Sequence, residues 1–226
     1  MFDHGRVGDC KRLIYALKLR ANRARSGITV PEVPHMERED LACFARFLGS
    51  SKVLLEYGSG GSSIQACKED RHVISVDSDK RFLTAVQETI QQRALPGTFV
   101  PLHVDIGIVG LWGVPVFQSP NKRRLQMWSR YWQAPWDYAE TIGVQPDLVL
   151  IDGRFRVACA LESIHRAKER NLVILVDDYQ DRPEYAAIER FAHIIERAGR
   201  LVAFRPTEHM ISQCATELPI YAGDWH

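Results

Sequence analysis

The chain has 226 residues, 46% of them hydrophobic and 25% charged, with a formal net charge of +1. That length suits one α/β domain with room for a sizeable core, and the near-neutral charge excludes a global drive towards nucleic acid or anionic membrane. No stretch approaches the roughly 18 consecutive apolar residues of a membrane span. Residues 1–12 lack the apolar segment of a secretory signal, and Cys10, Cys43, Cys67, Cys159 and Cys214 show no C-x-x-C spacing, so a cytoplasmic protein with free thiols is expected.

Residues 9–25 read as a basic helix, with Leu13, Leu17 and Leu19 among Lys11, Arg12, Lys18, Arg20, Arg23 and Arg25. A solvated helical face explains these charges better than an anionic partner. Ile28–Pro34 carries two prolines and is expected to be an extended linker or the edge of a lid. Glu37–Leu48 forms an amphipathic helix, with Leu41, Phe44, Ala45 and Leu48 on one face. Residues 1–49 therefore make an N-terminal helical extension to a domain that fills the rest of the single-domain chain.

Lys52–Leu55 is an apolar strand. It runs into Glu56 and a turn holding Gly58, Gly60 and Gly61, and a helix pattern starts near Ile64. Glycines let a ligand approach the backbone, and the following helix N-terminus supplies N–H groups and a positive dipole end. The turn departs from the dinucleotide pattern G-x-G-x-x-G, because Ser63 stands at the third glycine position. A purely structural turn is the alternative. His72–Asp77 is a second strand whose terminal acid falls 19 residues after Gly58, the spacing of a carboxylate that accepts from both ribose hydroxyls. Lys80–Arg93 reads as a helix, Leu95–Gly97 as a turn and Thr98–Val104 as a third strand leading to Asp105, which could equally be a helix cap or turn acid. His103 reads as structural.

Residues 107–146 are long for a βα connection and hold Trp112, Trp128, Trp132 and Trp136 with a basic cluster at Lys122–Arg124. A substrate lid, an interface with a second copy of the chain, and helical packing at the spacing of Leu125, Trp128, Trp132 and Trp136 all remain open. Asp147–Asp152 is the clearest strand, followed by a helix over Val157–Arg170 and a fifth strand at Leu172–Val176 that ends in Asp177 and Asp178. Pro183–Ala198 reads as a helix with Gly199 as its C-cap, Leu201–Phe204 as a sixth strand and Met210–Cys214 as a seventh. Asp152, Asp177 and Asp178 thus sit at the carboxyl ends of neighbouring strands, where open α/β sheets bind ligands.

Taken together, LLEYGSGG, VISVDSD, HVDIG, DLVLIDG and VILVDDY resemble the successive motifs of class I S-adenosylmethionine-dependent methyltransferases over roughly residues 50–215, and the IDG and VDDY endings resemble the small-molecule O-methyltransferase-like branch. The first motif matches E-x-G-x-G at Glu56, Gly58 and Gly60 but reads GSGG where the fuller pattern is G-x-G-x-G, and residues 107–146 have no counterpart in the family. The resemblance implies a Rossmann-like doubly wound sheet of about seven mostly parallel strands with helices on both faces. It implies S-adenosyl-L-methionine as cofactor, with Glu56 near the methionine amino group, Gly58, Gly60 and Gly61 at the turn, Asp77 and Ser78 on the ribose, and Asp105 and Ile106 on the adenine. O-methylation of a small molecule follows, with Asp152 as base or orienting group. Asp152, Asp177 and Asp178 could instead hold a divalent cation such as magnesium, as in some related enzymes, although no histidine or asparagine completes the set. Arg154 and Arg156 could bind a carboxylate or phosphate on the substrate, or cap local structure. No nucleic-acid or membrane partner is expected, and a homodimer is open. The competing readings are a non-catalytic cofactor- or partner-binding relative of the same fold and an NAD-type oxidoreductase, the latter disfavoured by Ser63.

Overall fold

A computed structural model describes residues 4–167, 171–180 and 182–226. Its centre is one seven-stranded sheet made of β1 (Val53–Tyr57), β2 (His72–Asp77), β3 (Thr98–His103), β4 (Leu148–Ile151), β5 (Val173–Val176), β6 (Ala192–Ala198) and β7 (Leu201–Pro206). The spatial order is β3-β2-β1-β4-β5-β7-β6. The first five strands are parallel, and β7 runs antiparallel to both of its neighbours. The expected Rossmann-like doubly wound sheet is therefore present.

Alternation along the strands divides the core in two. Leu55, Tyr57, Val149 and Ile151 face one layer, whereas Leu54, Leu148 and Leu150 face the other. The second layer is closed by α2 (Arg38–Ser50), α3 (Gly61–Lys68) and α4 (Lys80–Gln92), and the first by α5 (Lys122–Thr141), α6 (Arg156–Arg166) and α7 (Ile211–Tyr221). Ahead of them lies α1 (His4–Ser26). Most of the α1 charges are exposed, but Arg12 Nε donates to the Val116 carbonyl at 2.9 Å and Arg23 pairs with Asp79, which ties the helix across the loop after β3 and the start of α4.

The aromatic stretch within 107–146 is resolved in favour of helical packing. Trp128, Tyr131 and Trp132 on α5 are buried around Phe155, with ring centroids 5.4, 5.8 and 5.6 Å from it. The Trp128 indole N–H donates to the Ile106 carbonyl at 3.0 Å. Pro135 sits inside α5, and in the turn before it the Trp132 carbonyl accepts the Tyr57 hydroxyl at 2.8 Å. Trp112 is different: it is 67% exposed and lies in the loop before α5.

Two expectations near the end of the chain are corrected. Residues 183–198 are not one helix: a 3₁₀ segment over Pro183–Arg190 gives way to β6, which forms a hairpin with β7. Gly199 is accordingly the first residue of a two-residue hairpin turn rather than a helix cap, with φ +53°. A Cβ there would stand 2.2 Å from Asp40 Oδ1, the buried carboxylate that accepts the Arg200 N–H at 3.0 Å and docks α2 against the turn. Residues 210–214 are not a seventh strand; they open α7, whose Cys214 and Leu218 bury one turn apart. Strand pairing with β7 and packing on α6 outweigh the local propensities in both places. The end of the helix expected over Val157–Arg170 falls on residues 168–170, outside the described residues.

Candidate active site

The order of the strands reverses between β1 and β4, and there the carboxyl ends open onto a cavity of about 640 Å³, the kind of crevice in which α/β sheets take ligands. The turns after β1 and β4 form its floor in direct contact. A Cβ on Gly58 would stand 2.9 Å from the Gly153 nitrogen, and Gly58 has φ +98°, so a side chain there is excluded twice over. Gly60, by contrast, faces open space within 4 Å. The roof is made by Pro31–His35 and by Leu111–Gly113, and the rings of His35 and Trp112 meet across it at 5.9 Å.

On one side stand the groups read as cofactor-binding. Gly58, Gly60, Gly61, Asp77 and Ser78 all line the cavity. Asp77 is oriented by two backbone donors, Ser59 N–H at 3.1 Å and Asp79 N–H at 2.7 Å. Burial raises its pKa to about 6 against these hydrogen bonds. Glu56 takes another position. It is completely buried and does not line the cavity; its carboxyl accepts from Ser62 and Ser63 and, at 2.9 Å, from Ser75. Burial raises it to about 7 despite those three hydroxyls. Ser62 itself lines the cavity, so the acid lies one hydroxyl behind the wall. Asp105 is exposed, accepting the Gly107 N–H at 2.8 Å, and Ile106 is buried beneath Trp128; neither lines the cavity.

On the other side, Asp152, Asp177 and Asp178 come together as the strand ends imply, with one oxygen from each lying within 4.8 Å of the others. Arg156, only 2% exposed, fills the space between them. Its Nη2 is 3.1 Å from both Asp152 Oδ1 and Asp178 Oδ2, Nε reaches the Gly153 carbonyl at 3.1 Å, and Nη1 donates to the Asp177 carbonyl. Arg200 adds a contact to Asp178 Oδ1 at 2.6 Å. Asp177 is 2% exposed, its Oδ1 has no hydrogen-bond partner, and burial with the nearby Asp152 charge raises it to about 7. Asp152 is raised too, by desolvation first, opposed by Arg156 and supported by Asp178.

This donor set does not fit a divalent cation. A metal needs several hard oxygens free to turn towards it, and here a fixed guanidinium already bridges two of the three carboxylates. The set does fit a nucleoside sulfonium: a glycine turn open to the cavity, a ribose-type acid held by backbone donors, and acids beyond it.

Several residues that line the cavity carry no signal in the motifs. Arg23, His35, Arg182 and Arg200 reach it from separate elements, and only the fold brings them there.

No known family profile matches the chain, and no curated protein matches it. Solved structures do. A methyltransferase-like protein from Silicibacter pomeroyi is 29% identical, with a TM-score of 0.70 over 83% of this chain and 98% of its own. The O-methyltransferase from Bacillus cereus, determined in complex with SAH, is 12% identical with a TM-score of 0.50, covering 87% of this chain and 91% of its own. The fold is that of the class I S-adenosylmethionine-dependent methyltransferases.

Proposed function

We propose that the protein is an S-adenosylmethionine-dependent methyltransferase that methylates a hydroxyl of a small molecule. The observation that carries this reading is the pairing, across one cavity, of the Asp77 side at β1–β2 with the Asp152 side at β4–β5. The 29% identical methyltransferase-like relative supports it over nearly its whole length.

When bound, S-adenosylmethionine supplies a methyl group already activated by its sulfonium. Gly58, Gly60 and Gly61 would hold its amino acid end, and Asp77 with Ser78 its ribose. The chain's own work is then to position an acceptor and remove its proton. Asp152 suits that role. Its Oδ1 is held by Arg156, which leaves Oδ2 to receive the acceptor hydroxyl. Its raised pKa makes it a stronger base near neutrality than an ordinary carboxylate. Asp177 lies beside it, one oxygen of each within 4.8 Å of the other, so the two carboxyls titrate as an interacting pair.

No step is assigned to a metal, because Arg156 occupies the place between the acids. Turnover in strong chelator is expected to equal turnover in magnesium. The test is transfer of labelled methyl from S-adenosylmethionine to a panel of small hydroxyl compounds, with and without chelator. Label transferred in both arms supports the reading; no transfer to any compound from a protein that also fails to bind the cofactor contradicts it.

A further inference from the structure

The acceptor side of the cavity holds more guanidinium than carboxylate. Arg154, Arg156, Arg182 and Arg200 all line it, against Asp152, Asp177 and Asp178. Two of the four cations are committed: Arg156 to Asp152 and Asp178, and Arg200 to Asp178, with Glu37 and Asp40 at 3.8 and 3.9 Å. The other two are not. Among the described residues neither Arg154 nor Arg182 has a carboxylate partner, and Arg182 rests over the Tyr185 ring at 5.7 Å.

Arg154 is the informative one. It is half-buried, and its Nε is fully buried with no hydrogen-bond partner. Its stem runs 3.8 Å from where a Cβ on Gly113 would stand, a point 3.0 Å from Ser78 Oγ. The side chain therefore stands between the Asp77–Ser78 side and the Asp152 side. A guanidinium keeps its proton in proteins, and burying one without a counter-charge costs stability unless something else supplies the charge. Desolvation and the like charge of Arg156 disfavour its charged form and outweigh the support of Tyr131, Tyr185 and Asp152. An anion is what this position lacks.

We propose that the methyl acceptor carries a carboxylate or phosphate, and that Arg154, with Arg182 at the same side of the cavity, binds it. This rests on the methyltransferase reading above. The same chemistry could come from the cofactor's own carboxylate. The glycine turn and the start of α3 already offer that group backbone donors, whereas on the Asp152 side the guanidinium groups without a carboxylate partner among the described residues are those of Arg154 and Arg182. A bidentate contact from Arg154 would set the acceptor's hydroxyl against Asp152 rather than merely attract it.

The test is isothermal titration of the full chain. Protein saturated with S-adenosylhomocysteine is titrated with inorganic phosphate, for wild type, Arg154→Met, Arg154→Lys and Arg182→Met, each checked for folding by its thermal transition. The expected result is phosphate binding to wild type that weakens at least about tenfold in Arg154→Met, less in Arg154→Lys, while affinity for S-adenosylhomocysteine stays within about twofold. Wild type that takes S-adenosylhomocysteine but no phosphate overturns the proposal, as does equal phosphate binding by both Arg154 variants and wild type. So does a tenfold loss of S-adenosylhomocysteine affinity in Arg154→Met when 5′-methylthioadenosine, which lacks the carboxylate, binds unchanged. Failure of wild type to bind S-adenosylhomocysteine is a separate result that removes the methyltransferase reading; phosphate titrated into the protein alone then decides the anion site by itself.

Discussion

Asp152 has its oxygens in different surroundings, and that asymmetry gives the sharpest expectations about single residues. One oxygen is fixed by Arg156 at 3.1 Å and the side chain is 36% exposed, so the carboxylate is both oriented and reachable. Asp152→Asn keeps the shape and removes the base; turnover is expected to fall by about 100-fold or more, in the range typical of a lost general base, with cofactor affinity within about twofold by titration. A comparable loss in cofactor affinity would place Asp152 in binding instead. The base acts only when deprotonated, and desolvation raises the Asp152 pKa above its ordinary value. Rate should therefore rise with pH to a plateau, with a midpoint above the ordinary carboxylate range, and the profile should flatten in Asp152→Asn. Much of this site was legible in the sequence because it is made of strand-end acids, and strand ends show as apolar runs that stop at Asp77, Asp152 and Asp177. What could not be read was occupancy. Sequence spacing treats Arg154 and Arg156 alike, yet the first helical position of α6 turns Arg156 inward among three acids and leaves Arg154 on the wall. Glu56 likewise carries the motif's acid, but Ser62, Ser63 and Ser75 enclose it, and hydroxyls so placed leave no periodic trace.

At the scale of elements, the aromatic residues of α5 explain how the loop after β4 keeps its shape. Phe155 adopts φ +57°, a conformation costly for a bulky residue and held only where packing over-determines it. Trp128, Tyr131 and Trp132 supply that packing, and the carbonyls of Trp225 and His226 accept the Phe155 and Arg156 N–H groups at 3.4 and 3.1 Å, which satisfies the start of α6. Trp128→Ala should cost about 3–5 kcal/mol by denaturant unfolding. Gly199→Ala should cost at least about 1–2 kcal/mol, from the left-handed backbone and the contact with Asp40 together; unchanged stability would show that the turn and α2 relax independently. The parallel half of the sheet was readable because β1, β2, β4 and β5 are short apolar runs between turn signals. The antiparallel half was not. PEYAAIERFAHIIERA has helix-forming composition throughout, and only its pairing with β7 makes a strand of Ala192–Ala198. The glycine that looked like a helix stop was a hairpin turn, two elements that share the same residue preference.

Across the whole molecule, four acids at or behind the cavity wall have folded pKa values raised by burial: Glu56 to about 7, Asp77 to about 6, Asp177 to about 7, and Asp152 in the same direction. Each binds its proton more tightly folded than unfolded. The stability they give is complete below the ordinary carboxylate range near pH 4 and is lost as pH rises through 6 to 7. For Glu56, which is fully buried, the shift from 4.5 to about 7 corresponds to a loss on the order of 3 kcal/mol. Urea unfolding at pH 5 and at pH 8 should show the wild type weaker at the higher pH, and Glu56→Gln should reduce that difference; a wild type equally stable at both would mean that the serine shell keeps Glu56 ionised. The half-buried ion pairs of α1, Arg12 with Asp9 and Arg23 with Asp79, add little to this pH dependence, being partly solvated. The same cavity that imposes these shifts is the centre of the functional account, and cofactor binding tests it most directly. Titration of wild type and Asp77→Ala with S-adenosylmethionine and S-adenosylhomocysteine, beside NAD as control, should give micromolar binding of the first two by wild type, at least about tenfold weaker in the variant, and none of NAD. A folded wild type that binds neither sulfur nucleoside would contradict the account.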